Sequence, residues 1–81
     1  MGGVMEHLGK ITYLGKNGIG KILEEGEDGF TYRFSFQVID GYHGESVQEL
    51  REKRIFTGAV VKFTRDEKTR VFSIKPVIWR V

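Results

Sequence analysis

The chain has 81 residues, no cysteine and a formal net charge of +2 at pH 7, which predicts one domain with a single modest core. The lack of cysteine excludes disulfides and thiolate chemistry and favours a reducing, cytoplasmic location. No apolar run reaches the roughly 18 residues of a membrane span, so we expect no membrane contact, and the mildly basic charge permits a polyanionic partner without requiring one.

The first predicted elements are two strands joined by a tight turn. Residues 10–14 and 18–23 are rich in Ile, Thr, Tyr and Leu, which suit a half-buried sheet. Asn17 and Gly18 predict a hairpin because both tolerate positive φ. Gly18 and Gly20 leave the second strand bare. This pattern indicates either a sharp bend that closes a small barrel or the close approach of a ligand.

The third predicted strand has the clearest pattern. Residues 30–38 alternate between apolar and polar side chains, which is typical of a half-buried strand. The alternation predicts five side chains on the core face: Phe30, Tyr32, Phe34, Phe36 and Val38. The preceding segment, residues 24–29, carries four carboxylates. We expect it to be a solvated turn away from any nucleic-acid path, because its charge repels phosphate.

A short helix interrupts the strands. Ser46 and Glu49 have the spacing of a capping box, which predicts a helix over residues 47–54. Leu50 then lies towards the core, and Lys53 is spaced for an ion pair with Glu49.

Two further strands follow the helix. Gly58 restarts strand structure, in which Ala59, Val61 and Phe63 alternate with a second set, Val60, Lys62 and Thr64. Residues 69–75 form the fifth strand, with Phe72 and Ile74 inward.

Five strands with a helix between the third and fourth predict an all-β fold. This is the order of a five-stranded antiparallel OB-fold barrel, a partly open Greek-key barrel. The predicted organisation is a flexible N-terminus over residues 1–8, an OB domain over 9–77 and a tail over 78–81. The apolar tail predicts that Trp79 is at least partly buried against the barrel or a partner chain.

Four segments carry a family resemblance. Residues 17–22 keep both glycines and the final isoleucine of the motif Lys-Gly-Phe-Gly-Phe-Ile. Residues 30–35 are similar to Val-Phe-Val-His-Phe-Ser, and residues 58–63 are similar to Glu-Gly-Gln-x-Val-x-Phe without the Glu. Residues 9–15 stand in place of Gly-x-Val-Lys-Trp-Phe-Asn. Over residues 9–77 the chain therefore resembles the bacterial cold-shock domain family, small OB barrels that bind single-stranded nucleic acid.

The resemblance implies an aromatic surface for stacking bases, from which this chain departs. Ile19, Lys21 and Thr31 stand where the family has three phenylalanines. Tyr13 occupies its tryptophan position, and Arg33 replaces its histidine. Base stacking contributes about 1–3 kcal/mol per base, while cations bind phosphate instead. The resemblance therefore implies weak binding with low sequence preference.

Catalysis and metal binding have little support in the sequence. His7 and His43 are the only imidazoles, and carboxylates are not spaced around either for a metal. Ser46 is explained as a helix cap rather than a nucleophile. The Gly-Ile-Gly sequence at residues 18–20 is not a phosphate loop, because no helix follows it. We expect no enzyme activity, no cofactor and no bound metal.

The favoured interpretation is binding of single-stranded DNA or RNA. The predicted contact residues are Lys10, Tyr13, Lys16, Ile19, Lys21, Arg33, Phe34 and Tyr42. The alternative is an OB-type protein-interaction module without nucleic-acid binding. In that case Tyr13, Ile19 and the C-terminal tail contact another protein or form a homodimer. The retained glycines favour the first function, and the apolar tail favours the second.

Overall fold

Five strands and two short helices make up the described part of the chain. The computed structural model describes residues 5–26, 29–67 and 70–77. In chain order the elements are β1 (Met5–Leu14), β2 (Ile19–Glu24), β3 (Thr31–Ser35), a 3₁₀ helix (Phe36–Val38), α1 (Val47–Glu52), β4 (Val60–Arg65) and β5 (Val71–Pro76). β1 thus extends into the segment 1–8 that the sequence predicts as a flexible start.

The strands pair antiparallel in the order β3-β2-β1-β4-β5, with the first strand at the centre. Three consecutive strands followed by a fourth beside the first form a Greek key. The sheet edges approach each other where Ile39 forms a parallel bridge with Ile74 and the Asp40 N–H donates to the Ile74 carbonyl at 2.8 Å. In the described residues the fold is an all-β, curled half-barrel with a short α-helix between β3 and β4.

A β-bulge bends β1 near its C-terminal end. Ile11 lies opposite Ile22 of β2. Tyr13 lies opposite Lys21, so Thr12 is an additional residue on β1. Because a bulge bends its strand and increases its twist, β1 pairs with β4 through its N-terminal half and with β2 through its C-terminal half.

The glycines near the first turn have separate structural roles. Gly18 has a φ of +82° and ends a three-residue loop, in which its N–H donates to the Gly15 carbonyl at 3.1 Å. Asn17 does not adopt positive φ, so the loop is not the two-residue primed turn. At Gly20 a Cβ would lie within 2.9 Å of three ring carbons of Phe34. Core packing therefore accounts for Gly20 without a ligand.

The third strand follows the predicted alternation over a shorter range. Tyr32, Phe34 and Phe36 are buried, as predicted. β3 ends at Ser35, whose hydroxyl caps the 3₁₀ helix. Phe30 is 61% exposed, so its predicted place in the core is wrong. It precedes the strand, and its ring packs on Tyr32 beyond the end of the core, with ring centroids 6.3 Å apart.

A second bulge moves Phe72 out of the core. Ser73 lies opposite Thr64, and Val71 lies opposite Arg65, so Phe72 is an additional residue on β5. Val71 is buried, whereas Phe72 is 41% exposed. The prediction that Phe72 points inwards is wrong, because the added residue shifts the alternation of period two.

The capping box at α1 is confirmed. The Glu49 N–H donates to the Ser46 hydroxyl at 3.2 Å, and the Ser46 N–H donates to the Glu49 carboxylate at 3.2 Å. The helix ends two residues earlier than predicted, because Arg54 adopts a left-handed φ of 68°. Lys53 forms its ion pair with Glu45 at 3.3 Å rather than with Glu49.

Glu24 binds two basic side chains at the rim of the barrel next to the β2–β3 turn. Its carboxylate accepts hydrogen bonds from Arg65 Nε at 2.6 Å and Nη2 at 3.3 Å, and it lies 3.3 Å from His7 Nδ1. The hydrogen bond to Glu24 is the main cause that raises the pKa of Arg65. Glu24 therefore belongs to the packing of β2, and the predicted solvated acidic turn begins after it.

The tail from residue 78 to 81 lies outside the described residues, and so does the predicted burial of Trp79. The predicted domain 9–77 is described except for residues 27–28 and 68–69. Within the described ranges no helix has the length and apolar character needed to cross a membrane.

Replacing Gly20 with alanine should destabilise the fold through Phe34. We expect Gly20→Ala to lower the free energy of unfolding by about 1–3 kcal/mol, because the new methyl group overpacks the core. Urea unfolding of Gly20→Ala, Phe34→Leu and the double variant tests this contact. The double variant should lose less stability than the sum of the single variants, and strict additivity would contradict the packing described.

Removing the carboxylate of Glu24 should destabilise the rim of the barrel. Glu24→Ala leaves Nε and Nη2 of the partly buried Arg65 without their carboxylate acceptor, and we expect a loss of about 1–3 kcal/mol in urea unfolding. Glu25→Ala is the matched control, since Glu25 is exposed and its removal should change stability by less than about 0.5 kcal/mol. Equal effects of the two variants would show that the ion pair contributes nothing.

Candidate nucleic-acid interface

Three predicted contact residues form one row across the first three strands. Tyr13 lies opposite Lys21, and Lys21 lies opposite Arg33. Residues paired across antiparallel strands point to the same side of the sheet, and all three side chains are exposed. The Lys21 Nζ lies 6.0 Å from the centroid of the Tyr13 ring, which is 50% exposed. The row combines an accessible aromatic ring with two cations.

Two neighbouring rows extend this surface, which we call the β1–β3 face. On one side, Lys10 lies opposite Leu23, which lies opposite Thr31. On the other side, towards the first turn, Ile19 lies opposite Ser35. The structure therefore brings together Lys10, Tyr13, Ile19, Lys21 and Arg33, with Lys16 exposed in the turn beside them.

Phe34 and Tyr42 do not lie on the β1–β3 face. Phe34 is 3% exposed and packs beneath Gly20, so it offers no ring surface to a ligand. The Tyr42 ring packs edge-on against Phe36 with centroids 6.0 Å apart, and its hydroxyl donates to the Glu45 carbonyl at 3.3 Å. The structure therefore does not bring these two residues together with the exposed residues of the β1–β3 face.

A groove of about 1160 Å³ lies beside the β1–β3 face, between the first turn and α1. Its lining includes Leu14, Lys16, Phe36, Tyr42, Arg51 and Phe56. Phe56 is 38% exposed, and the Arg51 guanidinium carbon lies 5.9 Å from its ring centroid. The sequence did not indicate this pairing, because Phe56 belongs to no strand or helix pattern.

The cations of the β1–β3 face are not neutralised within the described part of the chain. Carboxylates of the described residues lie within 4.0 Å of basic nitrogens of His7, Arg65 and Lys53, none of which lies on this face. No carboxylate lies within 4.0 Å of Lys10, Lys16, Lys21 or Arg33 in the described ranges. Such a cluster of unpaired cations attracts polyanions. Among the same residues, no group of three or more His, Asp or Glu side chains could hold a metal.

Comparison of the chain with protein-family models, curated proteins and solved structures finds no match. Function therefore has to be inferred from the geometry and charge of the β1–β3 face. Chemically, this face can bind phosphates through its cations and stack a base on Tyr13.

The charge of Glu49 in the first turn of α1 should make stability depend on pH. Its pKa is lowered from the ordinary value of 4.5, chiefly by the hydrogen bond from the Ser46 backbone N–H. Because the pKa of Glu49 is lower in the folded state, the stabilisation that its carboxylate gives is complete above pH 4.5. This stabilisation is lost as the pH falls through the folded-state pKa.

Glu49→Gln should reduce this acid-induced loss, because Gln keeps the capping geometry without the titrating charge. The measurement is the urea midpoint from neutral pH to below 4.5. Glu52→Gln in the same helix is the control. An unchanged pH dependence in Glu49→Gln would contradict the prediction.

Proposed function

We propose that the chain is a cold-shock-like OB domain that binds single-stranded DNA or RNA on its β1–β3 face. The row Tyr13–Lys21–Arg33 is the observation that carries this proposal, since it joins an exposed ring to cations without a carboxylate partner in the described residues. The Greek-key order and the helix between β3 and β4 support the OB assignment. OB folds bind oligonucleotides on the second and third strands and on the loop between the first two.

The proposed mechanism relies more on phosphate contact than on base stacking. Lys21 and Arg33 bind successive phosphates and release condensed counterions, which makes affinity fall with salt. Arg33 also presents a planar guanidinium that can stack on a base. Tyr13 stacks one base, which is sequence-tolerant because every base has a π face. Binding is therefore weak, with low sequence preference and strong salt dependence.

The shape of the surface supports a single-stranded ligand. The β1–β3 face is the outside of a curled sheet, on which the short side chains of Thr31 and Ser35 lie on either side of Arg33 along β3. It presents no helix or projecting ribbon of the kind that enters the major groove of a duplex. Unpaired bases, by contrast, can reach Tyr13 from an open surface.

A titration of labelled oligonucleotides at several salt concentrations should distinguish the contribution of phosphate contacts from the contribution of base stacking. Lys21→Ala with Arg33→Ala should flatten the slope of log K against log salt by about 1–1.5, since each single-strand phosphate contributes about −0.7. Tyr13→Ala should weaken binding by about 1–3 kcal/mol with little change in slope, because stacking releases no counterions.

The matched control removes two charges elsewhere. Lys53→Gln with Arg54→Gln at the end of α1 lowers the net charge equally and should leave the slope nearly unchanged. A slope change on Tyr13→Ala, with none on the Lys21 and Arg33 variant, would place the phosphate path elsewhere. If neither DNA nor RNA binds at low salt, the proposal fails and the protein-interaction function takes its place.

A further inference from the structure

The outer side of β4 and β5 carries a second group of unpaired cations. Lys62 lies directly opposite Lys75 across this antiparallel pair, and both are exposed. Like charges at directly opposite positions destabilise a sheet. In the described part of the chain neither lysine has a carboxylate within 4.0 Å. On its other side Lys62 lies opposite Leu8 of β1, which is 44% exposed.

The bulge in β5 adds an aromatic ring to this surface. Phe72 is 41% exposed, and the Arg70 guanidinium carbon lies 5.3 Å from its ring centroid. The β4–β5 side thus repeats the combination found in the row Tyr13–Lys21–Arg33, an exposed ring with a cation over it and further cations nearby. We call the surface of Lys62, Arg70, Phe72 and Lys75 the β4–β5 face.

Lys10 connects the two faces. It lies opposite Leu23 of β2 on one side and opposite Val60 of β4 on the other, at the centre of the sheet. Every strand of the barrel therefore carries an exposed cation on its outer side: Lys10, Lys21, Arg33, Lys62 and Lys75. At about 3.3 Å per residue along β1, and with the bulge residue Thr12 adding no paired step, the row of Tyr13 and the row of Leu8 are about 13 Å apart.

We propose that the β4–β5 face is a second contact surface for the same single strand. A strand that is long enough passes from the row Tyr13–Lys21–Arg33 over Lys10 to Lys62 and Lys75. Charge complementarity selects this occupant, because the opposed lysines need an anionic neighbour to offset their repulsion. The inference rests on the proposed function of the β1–β3 face and adds to it the path and the length of the ligand.

The number of phosphate contacts, and with it the salt dependence of binding, should therefore increase with the length of the oligonucleotide. Short oligonucleotides fill the β1–β3 face alone and do not contact Lys62 or Lys75. Longer ones contact both faces and release additional counterions. Site sizes of OB folds run from about 4 to 16 nucleotides, so a length series over this range covers both regimes.

The test measures Kd for labelled oligo(dT) of about 4, 8 and 16 nucleotides at several salt concentrations. Lys62→Gln with Lys75→Gln should bind the shortest oligonucleotide as the unchanged protein does. For the longest one, its slope of log K against log salt should be flatter by about 1.4, the value for two lost phosphate contacts. Lys53→Gln with Arg54→Gln is the control of equal charge and should show no length-dependent change.

Other outcomes overturn the inference and are distinguishable from failure of the proposed function. Equal loss at every length would mean that the lysines act only through net charge. No loss at any length, with increased self-association on gel filtration, would mean that they protect the edge strand β5 from pairing. In both cases the unchanged protein still binds, so the β1–β3 proposal stands. If the unchanged protein binds no oligonucleotide of any length, the proposed function and the inference fail together.

Discussion

The bulge at Thr12 is the feature on which both the fold and the candidate surface depend. β1 pairs with β2 at one end and with β4 at the other, and a bulge supplies the bend that a strand shared in this way needs. The same additional residue places Tyr13 opposite Lys21. Without it, the register would put Tyr13 opposite Gly20 and turn its ring towards the core. The bend that curls the sheet therefore also puts the aromatic ring on the outer side.

In the described part of the chain, aromatic rings occupy the interior beneath two of the strand glycines, Gly9 and Gly20. A Cβ at Gly9 would lie 2.7 Å from the Phe63 ring, and one at Gly20 would meet the Phe34 ring. Phe63 and Phe34 are almost fully buried, so their rings fill the space that a side chain at each glycine would otherwise occupy. The proposed recognition therefore uses the outer surface, where the strand cations are exposed.

Features that depend on residues close together in the chain could be predicted from the sequence. Features that depend on pairing between distant strands could not. The capping box at Ser46 was predictable because its partners lie within one turn of the chain. The exposure of Phe30 and Phe72 was not, because it depends on where the core ends and where the partner strand forces a bulge. For the candidate site, the basic and aromatic residue types could be predicted from the sequence. The alignment of Tyr13, Lys21 and Arg33 in one row across three strands could not. Arg33 and Phe34 were both predicted as contacts, although consecutive residues of a strand point to opposite sides.

The exposed rings show why charge should outweigh base identity in the proposed binding. Lys21 lies over Tyr13 at 6.0 Å, and Arg70 lies over Phe72 at 5.3 Å. A base that stacks on either ring has to displace its cation, which costs about 0.5–1 kcal/mol at an exposed site and offsets part of the stacking gain. The displaced cation stays within reach of the phosphate that follows the base. Stacking therefore loses free energy in this exchange while phosphate contact gains, so we expect the proposed binding to depend more on salt concentration than on base sequence.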